Sequence, residues 1–124
     1  MKNIFYIVLT ALALTGCYEQ ERKCADFKTG KFTFETEING VKKTTIFERT
    51  ETLEIETFEG RTDTSSIRWI SDCECIMEKI NPKNAQEKKG VDMKILTTKG
   101  NSYTFEFSLV GDSQKQKGTV TKIN

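Results

Sequence analysis

From Phe27 onward polar and apolar residues alternate with a period of two, and that alternation commits most of the chain to β-strands. Phe32, Phe34, Thr36 and Ile38 fall on one side of an extended segment, with Lys31, Thr33, Glu35 and Glu37 on the other. Asn39-Gly40 follows. Both residues tolerate positive φ, which a two-residue hairpin turn needs. The chain therefore returns as a second strand, Val41–Arg49, with Val41, Thr45 and Phe47 on one face. In a third strand, 51–58, Leu53 and Ile55 alternate with Glu54 and Glu56, so the glutamates read as its solvent face. A turn at 60–63 leads to a fourth strand, 64–71, with Ile67 and Trp69 on one side and Arg68 on the other. A fifth, 74–80, continues after a kink at Ser71-Asp72. Pro82 opens a polar stretch, 83–89, long enough for one helical turn before Gly90. Strands at 91–98 and 102–110 meet at Lys99-Gly100-Asn101, and a last strand, 117–123, follows a loop at 111–116.

Seven to eight short strands with mostly tight turns imply an all-β antiparallel meander. Each strand has one apolar face, so the sheet must close on itself or fold over. Closure removes exposed edges and suits about eight strands. A small lipocalin-like barrel over residues 27–124 is the expected fold, with a β-sandwich as the alternative.

The first residues carry an address. Met1-Lys2-Asn3 precedes an apolar run over 4–14, the pattern of a secretory signal peptide. A bilayer span needs about 20 apolar residues, more than this run has. Leu14-Thr15-Gly16-Cys17 resembles the bacterial lipobox. That resemblance implies cleavage after residue 16, a diacylglycerol thioether on Cys17 and acylation of the new amine. Each buried acyl methylene contributes about 0.8 kcal/mol, so several chains anchor stably where one does not. Tyr18, in place of an Asp, resembles sorting to the outer membrane. Residues 1–16 are thus read as signal peptide and 17–26, polar and aperiodic, as a lipidated tether in the bacterial envelope.

Loss of residues 1–16 removes one basic side chain, Lys2, from 19 Lys and Arg against 18 Asp and Glu, leaving a neutral mature chain. Nucleic acid binding needs a basic patch, and this balance supplies none. Beyond Cys17 there are Cys24, Cys73 and Cys75, in keeping with an oxidising compartment. Cys24 with Cys73 is the expected disulfide, worth roughly 4 kcal/mol in the chain-entropy description. Cys73 with Cys75 is the poorer choice, because residues i and i+2 of a strand lie too far apart for good geometry.

Together with the lipobox, three stretches carry a wider likeness: Cys24 to Phe32 (Cys-x-x-Phe-x-Thr-Gly-x-Phe), the region from Arg49 to Ile55, and Ile67 to Cys73 (Ile-x-Trp-x-x-Asp-Cys). The chain resembles a group of small bacterial lipoproteins of unassigned activity, some of which carry the misplaced label DNA topoisomerase IV. The likeness implies pairing of Cys24 with Cys73; where the group has an aromatic residue, this chain has Cys75. A topoisomerase would need a large basic groove and a cytoplasmic setting, neither of which fits a small, neutral, exported chain.

No histidine is present, which removes Ser-His-Asp and Cys-His catalysis and imidazole metal sites. Lys28-Thr29-Gly30-Lys31 lacks the first Gly and the following Ser or Thr of a phosphate loop. Glu35 with Glu37, and Glu54 with Glu56, have the spacing of a carboxylate pair but read as strand surface. Cys24, Cys73 and Cys75 with Glu74 are a conceivable thiolate site for zinc or copper(I), against which disulfide formation competes. No cofactor, metal or enzymatic activity is expected. Trp69, Phe32, Phe34, Phe105 and Phe107 either fill the core or line a ligand cavity, with filling the expectation. The expected role is a non-enzymatic interaction or structural module presented to an envelope protein. The alternative is a carrier of a small apolar ligand.

Overall fold

The computed structural model describes residues 22–124. Eight strands form one closed antiparallel barrel in sequence order: β1 (Gly30–Ile38), β2 (Val41–Arg49), β3 (Leu53–Phe58), β4 (Arg61–Ser71), β5 (Glu74–Lys79), β6 (Val91–Lys99), β7 (Ser102–Leu109) and β8 (Gln116–Lys122). A 3-10 turn, Cys24–Phe27, precedes them. Closure is short at the seam, where the β1–β8 ladder covers Phe32–Phe34 against Val120–Lys122 and Lys31 adds backbone hydrogen bonds to Ile123 and Asn124.

Turn chemistry sets the register. Asn39 (φ 51°) and Gly40 (φ 77°) join β1 to β2 so that Ile38 faces Val41 and Phe32 faces Phe47. The β3–β4 connection is equally tight: Glu59 (φ 49°) and Gly60 (φ 77°) make the turn. The expected turn at 60–63 is therefore corrected, because Arg61–Asp63 already pair with β3. Glu59 gave no turn signal, being a residue that rarely adopts positive φ. The kink expected at Ser71-Asp72 is a bulge one residue earlier, between Trp69 and Ser71.

In an antiparallel meander the connections alternate between two ends. The chain start, residues 50–52, 72–73 and 100–101, and the C-terminus gather at one end. Residues 39–40, 59–60, 80–90 and 110–115 gather at the other. The first end is filled. Phe27, Phe32, Ile95, Cys24 and Cys75 have almost no exposure there, and Tyr103 and Ile67 pack among them. Full burial of an aromatic or large aliphatic side chain contributes about 1.5–3 kcal/mol.

The 3-10 turn acts as the stopper of this end. Cys24 is bonded to Cys73 of the β4–β5 turn, with the Cα atoms 5.2 Å apart. Two contacts begin earlier: the Arg22 guanidinium donates to the Ile95 carbonyl at 3.2 Å, and the Lys23 amide to Thr98 Oγ1 at 2.8 Å. The polar stretch read as tether is thus applied to the barrel from Arg22 onward. At the junction with β1, Gly30 (φ 130°) cannot be replaced freely. A Cβ there would lie 2.7 Å from Lys122 Cε and 2.8 Å from the Asn124 carbonyl oxygen.

Candidate functional site: an open-ended cavity in the barrel

Above the stopper the lumen is not filled. A cavity of about 400 Å³ opens between the loops of the far end. The expectation of a filled core therefore holds for the closed half only. Phe34, Phe47, Phe105, Phe107, Met77 and Met93 supply most of its apolar wall. The rings interlock: Phe34 meets Phe105 edge-on at 5.6 Å, and Phe105 stacks with Phe107 at 5.5 Å. Gly118 on β8 makes room for them, since a Cβ there would sit 2.7 Å from Phe34 Cε2 and 2.9 Å from Phe105 Cε1.

The floor is a buried charge. Arg49, 3% exposed, donates from Nε and Nη2 to Glu54 Oε1 at 3.2 and 2.9 Å. Its Nη2 also donates to the Tyr103 hydroxyl at 3.1 Å, and its Nη1 to the Phe27 carbonyl at 2.8 Å. The guanidinium carbon lies 5.0 Å from the Phe32 ring centroid and 5.1 Å from that of Phe47, a cation–π arrangement. One side chain thus ties together β2, β3, β7 and the stopper. Burial pushes the Tyr103 phenol up, opposed by the adjacent guanidinium.

This arrangement overturns the expected facing of β3. Paired residues of an antiparallel ladder share a face. Arg49 pairs with Glu54 and Phe47 with Glu56, and both β2 residues point inward, so both glutamates do too. Leu53 and Ile55 lie on the outside, half-buried. The sequence held one signal for this. Alternation from Thr45 and Phe47 puts Arg49 on the core face, and a buried guanidinium requires a carboxylate from the neighbouring strand.

Glu56 stands higher on the same wall, opposite Asp63 of β4. Its carboxylate makes no hydrogen bond or ion pair among the described residues. The residue is exposed to the open lumen, yet partial desolvation by the surrounding wall is the first cause that raises its pKa; the charges of Glu54 and Asp63 raise it further, and Lys79 opposes them. Lys79 Nζ is held by Glu87 Oε1 at 2.9 Å. Glu87 belongs to the loop that overhangs the opening, where Asn84 Oδ1 accepts from its amide and its Oε2 accepts from the Lys83 amide. That loop supplies Gln86, Glu87 and Lys89 to the cavity lip, and its one turn closes through the Lys88 amide on the Asn84 carbonyl.

Of the aromatic residues singled out from sequence, Phe34, Phe105 and Phe107 line the cavity. Phe32 lies below it, fully buried and stacked on Phe47 at 5.0 Å. Trp69 is half-buried near the stopper, with Arg49 5.8 Å and Lys28 5.5 Å from its ring; its indole nitrogen is buried without a partner among the described residues. The lipidation candidate, Cys17, lies outside the described residues. Glu35 is on the outer wall, paired with Lys42 at 3.0 Å. Cys75 is a buried free thiol pushed up to about 12 by desolvation. With Cys24 and Cys73 joined, the three thiols considered as metal ligands are reduced to that one. Among the described residues no helix is long and apolar enough to cross a membrane.

Compared with protein-family models, curated proteins and solved structures, the chain matches none.

Proposed function

We propose that this protein is an envelope lipoprotein, anchored through Cys17, whose barrel carries a small and largely apolar ligand in the manner of a lipocalin. The observation that carries this reading is the cavity of about 400 Å³, open at one end and walled by phenylalanine and methionine. Pockets that take small molecules span about 300–1,000 Å³ and are mostly apolar with a few polar groups, as this one is. An eight-carbon chain buried there would gain roughly 6 kcal/mol at about 0.8 kcal/mol per methylene, before the cost of immobilising it.

A native mass spectrum of the intact protein, made in an oxidising compartment, tests the carrier role. An adduct retained from the cell, or acquired from added 1-octanol, is the expected result. A bare mass under both conditions would sink the carrier reading. The anchor has a separate test: Cys17→Ala should release the protein from membranes and abolish palmitate labelling. Persistence of both would remove the lipoprotein assignment. Trp69 sits below the cavity, so its fluorescence is a poor reporter of binding there.

The interaction-module reading draws on a different observation. Ile38, Val41, Ile80 and Val110 are all about half exposed, and they lie at strand ends or on loops around the opening. A partner that seats on this rim would cover them and the cavity mouth together.

A further inference from the structure

Resting on the carrier reading, we infer that the ligand bears one cationic nitrogen, and that Glu56 is its counter-ion. The apolar wall says nothing about charge, so the argument lies in the polar groups that interrupt it. Arg49 and Glu54 satisfy each other at the floor, and Lys79 and Glu87 do so at the lip. Two cavity-lining charges remain unpaired among the described residues: Lys89, exposed on the overhanging loop at the lip, and Glu56, itself exposed to the open lumen. Of the two, Glu56 rises from the barrel wall, on β3, directly across the ladder from Phe47.

The groups facing Glu56 are Glu54 on its own strand, Asp63 on β4 and Lys79 on β5, the last already engaged by Glu87. Glu54 is shared with Arg49 and Lys79 with Glu87, while Asp63 adds a like charge, so among the described residues the immediate surroundings of Glu56 hold no uncommitted cation. The upward shift of the carboxyl follows from the same surroundings. Aromatic ring faces attract ammonium and guanidinium groups, and Phe34, Phe47 and Phe105 line the same cavity as this carboxylate. An alkyl or aryl body in the lumen, with an amine directed at Glu56, would use both features at once. At about 30 Å³ per water-sized unit, the space suits a molecule of roughly a dozen non-hydrogen atoms.

Three probes of equal length separate the possibilities: octylammonium, 1-octanol and octanoate, titrated calorimetrically into the intact protein and into Glu56→Gln. Octylammonium should bind the wild type about tenfold or more tightly than 1-octanol, the span of one charge-assisted hydrogen bond. Glu56→Gln should erase that preference, read as the ratio of octylammonium to 1-octanol affinity within each protein. Lower pH should weaken octylammonium as Glu56 takes up its proton, with no effect on 1-octanol. Equal binding of the three, a preference for octanoate, or a preference that survives Glu56→Gln would overturn the inference and leave the carrier standing. Failure of all three probes to bind would overturn both.

Discussion

Glu54→Leu takes away the one carboxylate that touches the Arg49 guanidinium among the described residues. Arg49 remains charged at any pH the protein survives, and its side chain is only 2% exposed. An uncompensated charge at such depth costs about 3–5 kcal/mol. Glu54 is 13% exposed and borders the cavity, so water can reach part of its place, which sets the expectation at about 3 kcal/mol. Arg49→Met acts differently. The methionine can still pack against Phe32 and Phe47, and Glu54 can hydrate from the cavity. The Phe27 carbonyl and Tyr103 hydroxyl lose a donor, at about 1–3 kcal/mol each. The double variant Arg49→Met/Glu54→Leu removes both charges and should be more stable than Glu54→Leu alone. Urea unfolding with the disulfide intact measures all three, and about 3 kcal/mol corresponds to a midpoint lowered by about 1–3 M. If Glu54→Leu leaves the midpoint in place, or the two single losses simply add, the pair does not depend on burial and the reasoning fails.

Loss of the disulfide through Cys24→Ser/Cys73→Ser frees a loop whose ends are 49 residues apart, for a cost of about 4 kcal/mol read from the urea midpoint. Maleimide labelling of native Cys75 at pH 8 should be negligible and become rapid once the barrel unfolds, since its thiol is pushed up to about 12. Gly118→Ala should displace the Phe34 and Phe105 rings into the cavity, costing about 1–3 kcal/mol and abolishing ligand uptake by native mass spectrometry. Glu56 has a folded pKa above its unfolded one, so the native state binds more protons and stability falls as pH rises from the unfolded value through the folded one. Glu56→Gln should therefore gain on the wild type above that window and match it below, in urea melts across pH; a gain that is the same at every pH would contradict this.

The β1–β2 hairpin was legible to the residue, because Asn39-Gly40 admits one tight turn and alternation then fixes the faces. The same alternation in β3 offered two faces, and hydrophobicity chose the wrong one. What decides there is a charge on another strand: Arg49 enters the core and takes Glu54 with it, and the pleat carries Glu56 along. The Cys24–Cys73 pair was legible from the i, i+2 spacing of Cys73 and Cys75, although Cys73 lies in the β4–β5 turn and only Cys75 on a strand. The cavity was not. Phe32 and Phe34 are two residues apart on one face, yet one is packed under Tyr103 and the other borders open space. Their difference arises from height along the barrel, relative to a stopper that no periodicity announces.

The stopper also decides how the barrel carries load. A pull on the chain from upstream would, without the disulfide, run through Gly30 into β1 and load the seam, where the ladder with β8 is three pairs long and Lys31 bonds to Ile123 and Asn124. The bond at Cys24 intercepts that force and delivers it to Cys73, between β4 and β5, on the flank away from the seam. A covalent shunt thus shields this short joint, and the described chain enters at the end opposite the opening.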